Sequence, residues 1–439
     1  MTILIALIVV ITLLVLATSK LKLHPFLSLL LASLAMGFIS EMNAVTIIDK
    51  ISEGFGNTLK SIGIIIAFGT IIGAYLEKSG GAKSMANTIL NFVGKKNSAL
   101  AMNITGFIVS IPVFCDSGFV ILSTLNKALS KKTGISLVTL AIALGTGLLA
   151  THVFVPPTPG PLAAAATLGA DLGLVIIMGL IVAIPTALTG LAWARYYGSK
   201  TKILDIDYEI KEEESTLPKR GESFYPVIVP IILIALKSIA EYPTHPFGGG
   251  LIKDFFTFVG NPIIALFIGV GLSFILKRYK TEESHFDWVA SGLKNAGVII
   301  LITGAGGAFG NVLRATEIGD IIGSMFSSWS IGIILPFVIA AVLKSAQGSS
   351  TVSIITTAAI VSPLLVSLGL DTEISKALVV LAIGAGAMTV SHLNDSYFWV
   401  VAQFSNMDTQ TALKGHTVAT LFQGLASIIF IWTLSLILL

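Results

Sequence analysis

Two stretches decide the architecture: Phe114-Cys115-Asp116-Ser117-Gly118-Phe119, inside the apolar run 98–129, and Ser345-Ala346-Gln347-Gly348-Ser349-Ser350, inside the apolar run 331–368. Small polar residues cut each run near its middle. Each half is then about 14 residues long, short of the roughly 20 that a bilayer crossing needs. Charge threads them. Lys95 and Lys96 precede the first run, and Lys127, Lys131 and Lys132 follow it. Both basic flanks belong on the cytoplasmic side, so the first run is expected to enter and leave by one face as a re-entrant hairpin. The flanks of the second run are poor in Lys and Arg, and it is expected to enter from outside.

Working outward, ten further apolar runs read as spans: 2–18, 25–40, 61–76, 135–150, 173–193, 224–240, 257–276, 295–312, 375–390 and 415–437. Composition agrees, with 54% hydrophobic and 12% charged residues and a mean hydropathy of +0.91. Soluble domains carry about twice that charged fraction. The net charge of +3 and the absence of a dense basic patch exclude nucleic acid as a partner. The one cysteine, Cys115, allows no internal disulfide and no cysteine metal cluster, and no cofactor is implied. Residues 2–18 lack a preceding charge and a clear cleavage site, so they read as a retained first span rather than a leader.

With this threading, the segments assigned inside (19–24, 77–98, 127–134, 194–223, 277–294 and 405–414) hold 20 Lys and Arg. The outside segments hold five: Lys50, Lys60, Lys253, Arg314 and Lys376. Lys237 and Lys344 fall within apolar stretches. Both termini are expected outside. The hydrophilic loop 194–223 is a cytoplasmic linker that separates a first repeat, 1–193, from a second, 224–439.

The halves resemble each other. Leu59-Lys60 to Gly73-Ala74-Tyr75 matches Leu293-Lys294 to Gly307-Ala308-Phe309 at an offset of 234. His24-Pro25 matches Asn261-Pro262, Gly118 matches Gly348, and Gly145, Gly147 and His152 match Gly384, Gly386 and His392. Each half is five spans plus a hairpin. An odd number of spans per half inverts the second half, and inverted repeats with interrupted helices characterise secondary transporters. The expected fold is an all-α polytopic membrane protein with two inverted repeats, two re-entrant hairpins and two broken helices.

Four interrupted segments carry the candidate chemistry, because backbone freed at membrane depth must line a cavity or hold a ligand. At the first hairpin, Asp116, Ser117 and Gly118 offer a carboxylate at a depth where it must be paired, protonated or hydrated; a structural cap is the alternative. Cys115 reads as a packing residue. In the run Val155-Pro156-Pro157-Thr158-Pro159-Gly160-Pro161 the prolines must break the helix, which presents Pro157, Thr158 and Pro159; a plain kink or external loop is the alternative. His152, just before it, reads equally as a proton relay or a packing histidine. At the second hairpin, Gln347, Gly348, Ser349, Ser350 and Thr351 offer hydroxyls and an amide, against simple small-residue packing. The fourth segment, Ser391-His392-Leu393-Asn394-Asp395-Ser396-Tyr397-Phe398-Trp399, sets His392, Asn394, Asp395 and Ser396 in an apolar run, where an ionisable cluster is functional by default. Gly304-Ala305-Gly306-Gly307 lacks the context of a nucleotide loop and reads as close helix packing. Residues 81–93 and 317–326 read as amphipathic helices leading into the hairpins.

These motifs, with Pro156 to Pro161, Gly304 to Phe309, Gly348-Ser349-Ser350-Thr351-Val352 and Phe398-Trp399, resemble the gluconate:proton symporter (GntP) family over almost the whole chain. That family also contains D-serine and fructuronate permeases and lies within a wider superfamily of ion transporters. The resemblance implies the two-repeat, two-hairpin fold, location in the inner membrane, and proton-driven uptake of a small carboxylate. It also implies substrate binding at the four broken segments, with Asp116, Asp395, His392 and His152 as proton-coupling candidates. The chain departs from familiar gluconate members at three positions: Asp116 stands for glutamate, Thr158 for histidine and Ser350 for alanine. A shorter carboxylate and a missing imidazole alter the site, so glycerate and other aldonates stand beside gluconate as substrates. The competing readings are a sodium-coupled carboxylate or D-serine-like transporter of the same architecture, and an intramembrane enzyme using Asp116 and Asp395. No HExxH or GxSxG motif supports the enzyme. Related architectures suggest a homodimer.

Overall fold

A computed structural model describes residues 2–201, 217–241, 250–279, 283–316 and 332–439, and among them every regular element is helical. The first half runs α1 (Thr2–Ser19), α2 (Pro25–Ile39), α3 (Ala44–Lys78), α4 (Gly81–Val93), α5 (Ser98–Val109), α6 (Cys115–Thr133), α7 (Leu137–Phe154), α8 (Pro159–Leu168) and α9 (Leu172–Gly198). The second runs α10 (Arg220–Glu241), α11 (Leu251–Val259), α12 (Pro262–Ser273), α13 (His285–Arg314), α14 (Ile334–Gln347), α15 (Ser350–Val361), α16 (Glu373–Met388), α17 (Ser396–Phe404) and, after a short helix α18 (Thr409–Ala412) and a π turn, α19 (Val418–Leu438).

Nine of the ten expected spans fall each on one helical segment; 257–276 is divided at Gly260-Asn261 between α11 and α12, and the span starts at Pro262. Seven described helical segments are long and apolar enough to cross a membrane unaided: 44–78, 137–168, 172–198, 220–241, 262–279, 285–314 and 409–438. The helices at 2–18, 25–40 and 375–390 are shorter, at 18, 15 and 16 residues. The expected helix at 81–93 is α4; the one at 317–326 lies outside the described residues. So does most of the expected linker. Its described ends are helical, because α9 continues to Gly198 and α10 starts at Arg220. Aromatic stacking of Trp193 on Tyr197, with Lys200 over the Tyr196 ring at 3.7 Å, carries α9 beyond its apolar part.

Proline and glycine set the breaks. Pro112 supplies no backbone N–H, and the first hairpin turns at Ser110–Phe114, between α5 and α6. Cys115 to Gly118, read from the sequence as the tip itself, form the first turn of α6 instead. The second hairpin turns where expected, at Gly348-Ser349; Gly348 has φ +88, a left-handed backbone that favours glycine. Thr158 precedes Pro159 and Pro161 at the start of α8, where a missing N–H costs nothing. Residues 389–395 separate α16 from α17.

The two interrupted helices form the centre. Every residue of α7 from Val138 to Phe154 is buried, as is α16 from Ala377 to Met388. Helix α5 lies directly on α7: a Cβ on Gly147 would stand 2.1 Å from the Asn103 carbonyl oxygen. Asn103 Nδ2 in turn donates to the carbonyls of Ala143 and Ala187 at 2.9 and 3.2 Å. Helices α3 and α13 form an antiparallel pair beside this core. At one end Gly54 meets Gly307, and a Cβ on Gly307 would lie 1.9 Å from Thr58 Oγ1; the glycine-rich run is a packing surface. At the other end Tyr75 Oη bonds His285 Nδ1 at 2.7 Å, and Lys78 bonds Glu283 at 2.6 Å. The Lys78 hydrogen bond holds the Glu283 carboxyl below its usual range. Across the halves, α8 packs on α15 and α6 on α17. Each half thus lays the outer part of its broken helix on the other half's hairpin.

Candidate functional site

The second hairpin and second broken helix are tied through one lysine. Lys344, in the last turn of α14, donates to Asp395 Oδ2 at 2.5 Å and to the Gly348 carbonyl. Both side chains are buried, at 1% and 4% exposure. Asp395 also accepts from Ser391 Oγ and, at 3.0 Å, from the N–H of Tyr397, so it caps α17. His416 Nε2 reaches Ser391 Oγ at 3.2 Å from the π turn Leu413–Thr417. The hairpin tip is clasped from outside this pair as well. Asn394 Nδ2 donates to the Ser345 carbonyl at 2.8 Å, and His392 Nε2 lies 3.2 Å from the same oxygen. A Cβ on Gly348 would stand 2.0 Å from the Asn394 carbonyl oxygen. Ser349 caps Val352 at 3.3 Å, with Ser350 buried and Thr351 half-buried behind it; Ser396 is exposed.

The first hairpin and first broken helix are satisfied differently. Asp116 and Ser117 sit half-buried in the first turn of α6, whose N-terminus has no side-chain cap. Asp116 Oδ1 is buried without a hydrogen-bond partner. The N-cap residue Phe114 stacks loosely on His152, with ring centroids 6.2 Å apart, and His152 Nδ1 is likewise buried and unpartnered. Gly118 packs on Leu148. Thr158 turns its hydroxyl back onto the Val155 carbonyl at 2.5 Å, and the Pro156-Pro157 bond is cis. Pro157 lies against Gly69 of α3, and Pro159 is buried.

The two halves of the site meet at Tyr397. Its hydroxyl donates to the Gly145 carbonyl at 2.9 Å, in the middle of α7, and its ring meets Phe119 of α6 edge-on at 6.3 Å. Phe114, two positions before Asp116, meets the His152 ring, and Tyr397, whose N–H donates to Asp395, meets Phe119 of the same helix α6. The fold therefore gathers Asp116, His152 and Asp395, three of the four residues read as proton carriers. His392, the fourth, stands on the outer side of the hairpin tip.

A clear division follows. Asp395, Ser349 and Thr158 spend their side-chain oxygens on protein contacts, as Asn394 spends its amide nitrogen and His392 its Nε2. Asp116 Oδ1, His152 Nδ1, and both amide atoms of Gln347 have no protein partner although buried. Buried polar atoms without partners are rare and point to a missing ligand or water. Two residues not singled out in the sequence, Lys344 and His416, belong to the site, as does Tyr397, which the fourth segment contained without a role. Lys344 was the detectable one, a lone ammonium inside a 14-residue apolar helix. Among the described residues, no three His, Cys, Asp or Glu side chains are grouped to hold a metal.

Helices broken at the core, a buried ion pair at their junction and unpartnered polar atoms facing it define a membrane transport protein. The profile of the GntP family permeases matches residues 1–437, and the chain belongs to that family. It is 35% identical to the gluconate permease of Pseudomonas aeruginosa, over 99% of this chain and 97% of that one. It is 33% identical to the D-serine transporter DsdX of Escherichia coli O6:H1, over 98% of each. Among solved structures, the Alcanivorax borkumensis YdaH transporter superposes with a TM-score of 0.63 at 14% identity, covering 89% of both chains, a likeness of fold alone.

Proposed function

We propose that this permease is a proton-coupled symporter for gluconate or a related small hydroxy-carboxylate such as glycerate or another aldonate, working in the inner membrane. The similarity to a gluconate permease over almost the full length supports the substrate class. The observation that carries proton coupling is the unequal treatment of two carboxylates. Asp395 has a permanent counter-ion in Lys344; Asp116 has none and keeps a buried oxygen free. An uncompensated carboxylate in an apolar surround is stabilised by taking up a proton. Asp116 is then the group that binds and releases the coupling proton, while Asp395 is held by Lys344.

The same pair argues against sodium at the second hairpin. A small cation there would seek a tip carbonyl and a carboxylate. The Lys344 ammonium already donates to both, on Gly348 and Asp395. The substrate carboxylate is assigned to the uncapped N-terminus of α6, where free N–H groups favour an anion. Gln347 and His152 take its hydroxyls. Two inverted repeats with hairpins are supported by the recurring order of elements and by the reciprocal packing of α8 on α15 and α6 on α17; both termini outside and an association of two copies complete the reading. Motion of the hairpin and broken-helix unit against the α3–α13 pair would expose the site alternately.

The test is uptake of radiolabelled D-gluconate and D-glycerate into proteoliposomes with an imposed pH gradient, with and without sodium. Gradient-driven uptake in sodium-free buffer is expected. Uptake that needs sodium and ignores the gradient would refute the reading.

A further inference from the structure

Away from the central site, a cavity of about 110 Å³ opens between the α3–α13 pair and the end of α8. Asn57, Thr58 and Ser61 of α3, Asn311 and Arg314 of α13, and Thr167 of α8 line its polar side. Arg314 crosses the seam: its Nη2 donates to the Thr167 carbonyl at 2.9 Å and to Ser362 Oγ in the turn after α15. Ser362 Oγ donates to that same carbonyl at 2.9 Å. The nearby charges are balanced. Lys50 pairs with Glu53 at 3.0 Å, and Asn311 Nδ2 holds the Lys50 carbonyl and Glu53 Oε2 at 2.9 and 3.2 Å. Among the described residues, Arg314 is thus left as the cation of the cavity without a carboxylate.

We propose that this cavity is a docking site for the small hydroxy-carboxylate, met before the substrate reaches the broken helices; the inference rests on the functional reading above. A guanidinium has five N–H donors in a fork that fits a carboxylate with two parallel bonds. Its present partners are a neutral carbonyl and a hydroxyl, which a carboxylate outcompetes. Thr58 and Ser61 donate to the Gly54 and Asn57 carbonyls at 2.8 and 2.9 Å, so their oxygens remain acceptors for substrate hydroxyls. The Asn57 amide adds a donor and an acceptor. A ligand seated here draws Arg314 from Thr167 and Ser362, and so loosens the seam that must open for passage.

The experiment uses full-length protein in proteoliposomes and D-gluconate as probe. Arg314→Gln is expected to raise KM about tenfold, the loss of one charge-assisted bond, with Vmax changed less than about threefold; Arg314→Lys falls between. A merely structural arginine would lower Vmax or the yield of folded protein and leave KM alone. A second readout exploits the single, buried native cysteine. A membrane-impermeant maleimide should label Asn57→Cys, D-gluconate should slow that labelling, and adding Arg314→Gln should abolish the protection. Unchanged KM in folded Arg314→Gln, or no protection of Asn57→Cys, overturns the proposal. If the unmodified protein moves no hydroxy-carboxylate at all, the functional reading fails first, and this site falls with it.

Discussion

Lys344 and Asp395 meet at 2.5 Å with almost no solvent contact, one in the last turn of a hairpin arm and the other capping α17 after the break in the second interrupted helix. Two charges are buried together, and neither can be removed alone without stranding the other. Lys344→Met or Asp395→Asn should each cost about 3–5 kcal/mol of stability. The double neutral change should recover most of that loss. Thermal unfolding in detergent reads the recovery. Transport is expected to stay lost in the double variant, because the hairpin tip would no longer be fixed by charge.

Gly348→Ala tests the seat of that tip. The glycine has φ +88, and an added Cβ would lie 2.0 Å from the Asn394 carbonyl oxygen. The strain cannot be relieved by a side-chain rotation, because the obstacle is backbone. A fall in uptake of at least about tenfold is expected. Gly169→Ala is the control. It also has positive φ, +66, but nothing lies within 4 Å. It should cost about 1 kcal/mol and leave uptake unchanged.

The α3–α13 seam gives a third prediction. At Gly307 a Cβ would meet Thr58 Oγ1 at 1.9 Å and the Gly54 carbonyl at 2.8 Å. Gly307→Ala should destabilise the protein by about 1–3 kcal/mol, as overpacking does. Thr58→Ala should rescue only part of the loss, since the carbonyl remains. Melting temperatures of the single and double variants decide this.

The pH dependence of transport should not come from the Lys78–Glu283 tie. Its carboxyl is lowered from the ordinary range by the Lys78 hydrogen bond. A depressed carboxyl contributes its stability above its unfolded pKa and loses it as pH falls through the lower, folded value. Between about pH 5 and 8 the tie is therefore fully formed. Glu283→Gln should leave the pH profile of uptake in that window unchanged. A shifted profile would move part of the coupling to this end of α3.

Much of this was legible because prolines and polar residues stand out in apolar runs. Pro156, Pro157 and Pro159 force a break that no neighbour can undo, and Asn394 and Asp395 have no ordinary place in an apolar span. The first hairpin turns a few residues earlier than the polar residues suggest, at 110–114. The eye falls on Asp116, but Pro112 ends α5 and an aspartate suits the positive end of the helix that follows. What the sequence could not show is who satisfies whom. Lys344 was a charge without a place until the fold brought Asp395, 51 positions away, against it. Thr158 and Asn394 carry polar atoms suited to a ligand, yet both spend them on carbonyls. His152 and His392 align in sequence, yet His152 lies in the last turn of α7 and His392 in the break after α16. Only the first has a buried ring nitrogen without a partner.

The most direct test of the central claim, that Asp116 and not the Lys344-paired Asp395 carries the coupling proton, is proton movement measured with a trapped pH dye in sodium-free proteoliposomes. D-gluconate added outside should acidify the lumen of vesicles holding the unmodified protein. Asp116→Asn should abolish acidification yet still exchange labelled for unlabelled substrate. Acidification that persists in Asp116→Asn would contradict the account and place the coupling proton elsewhere.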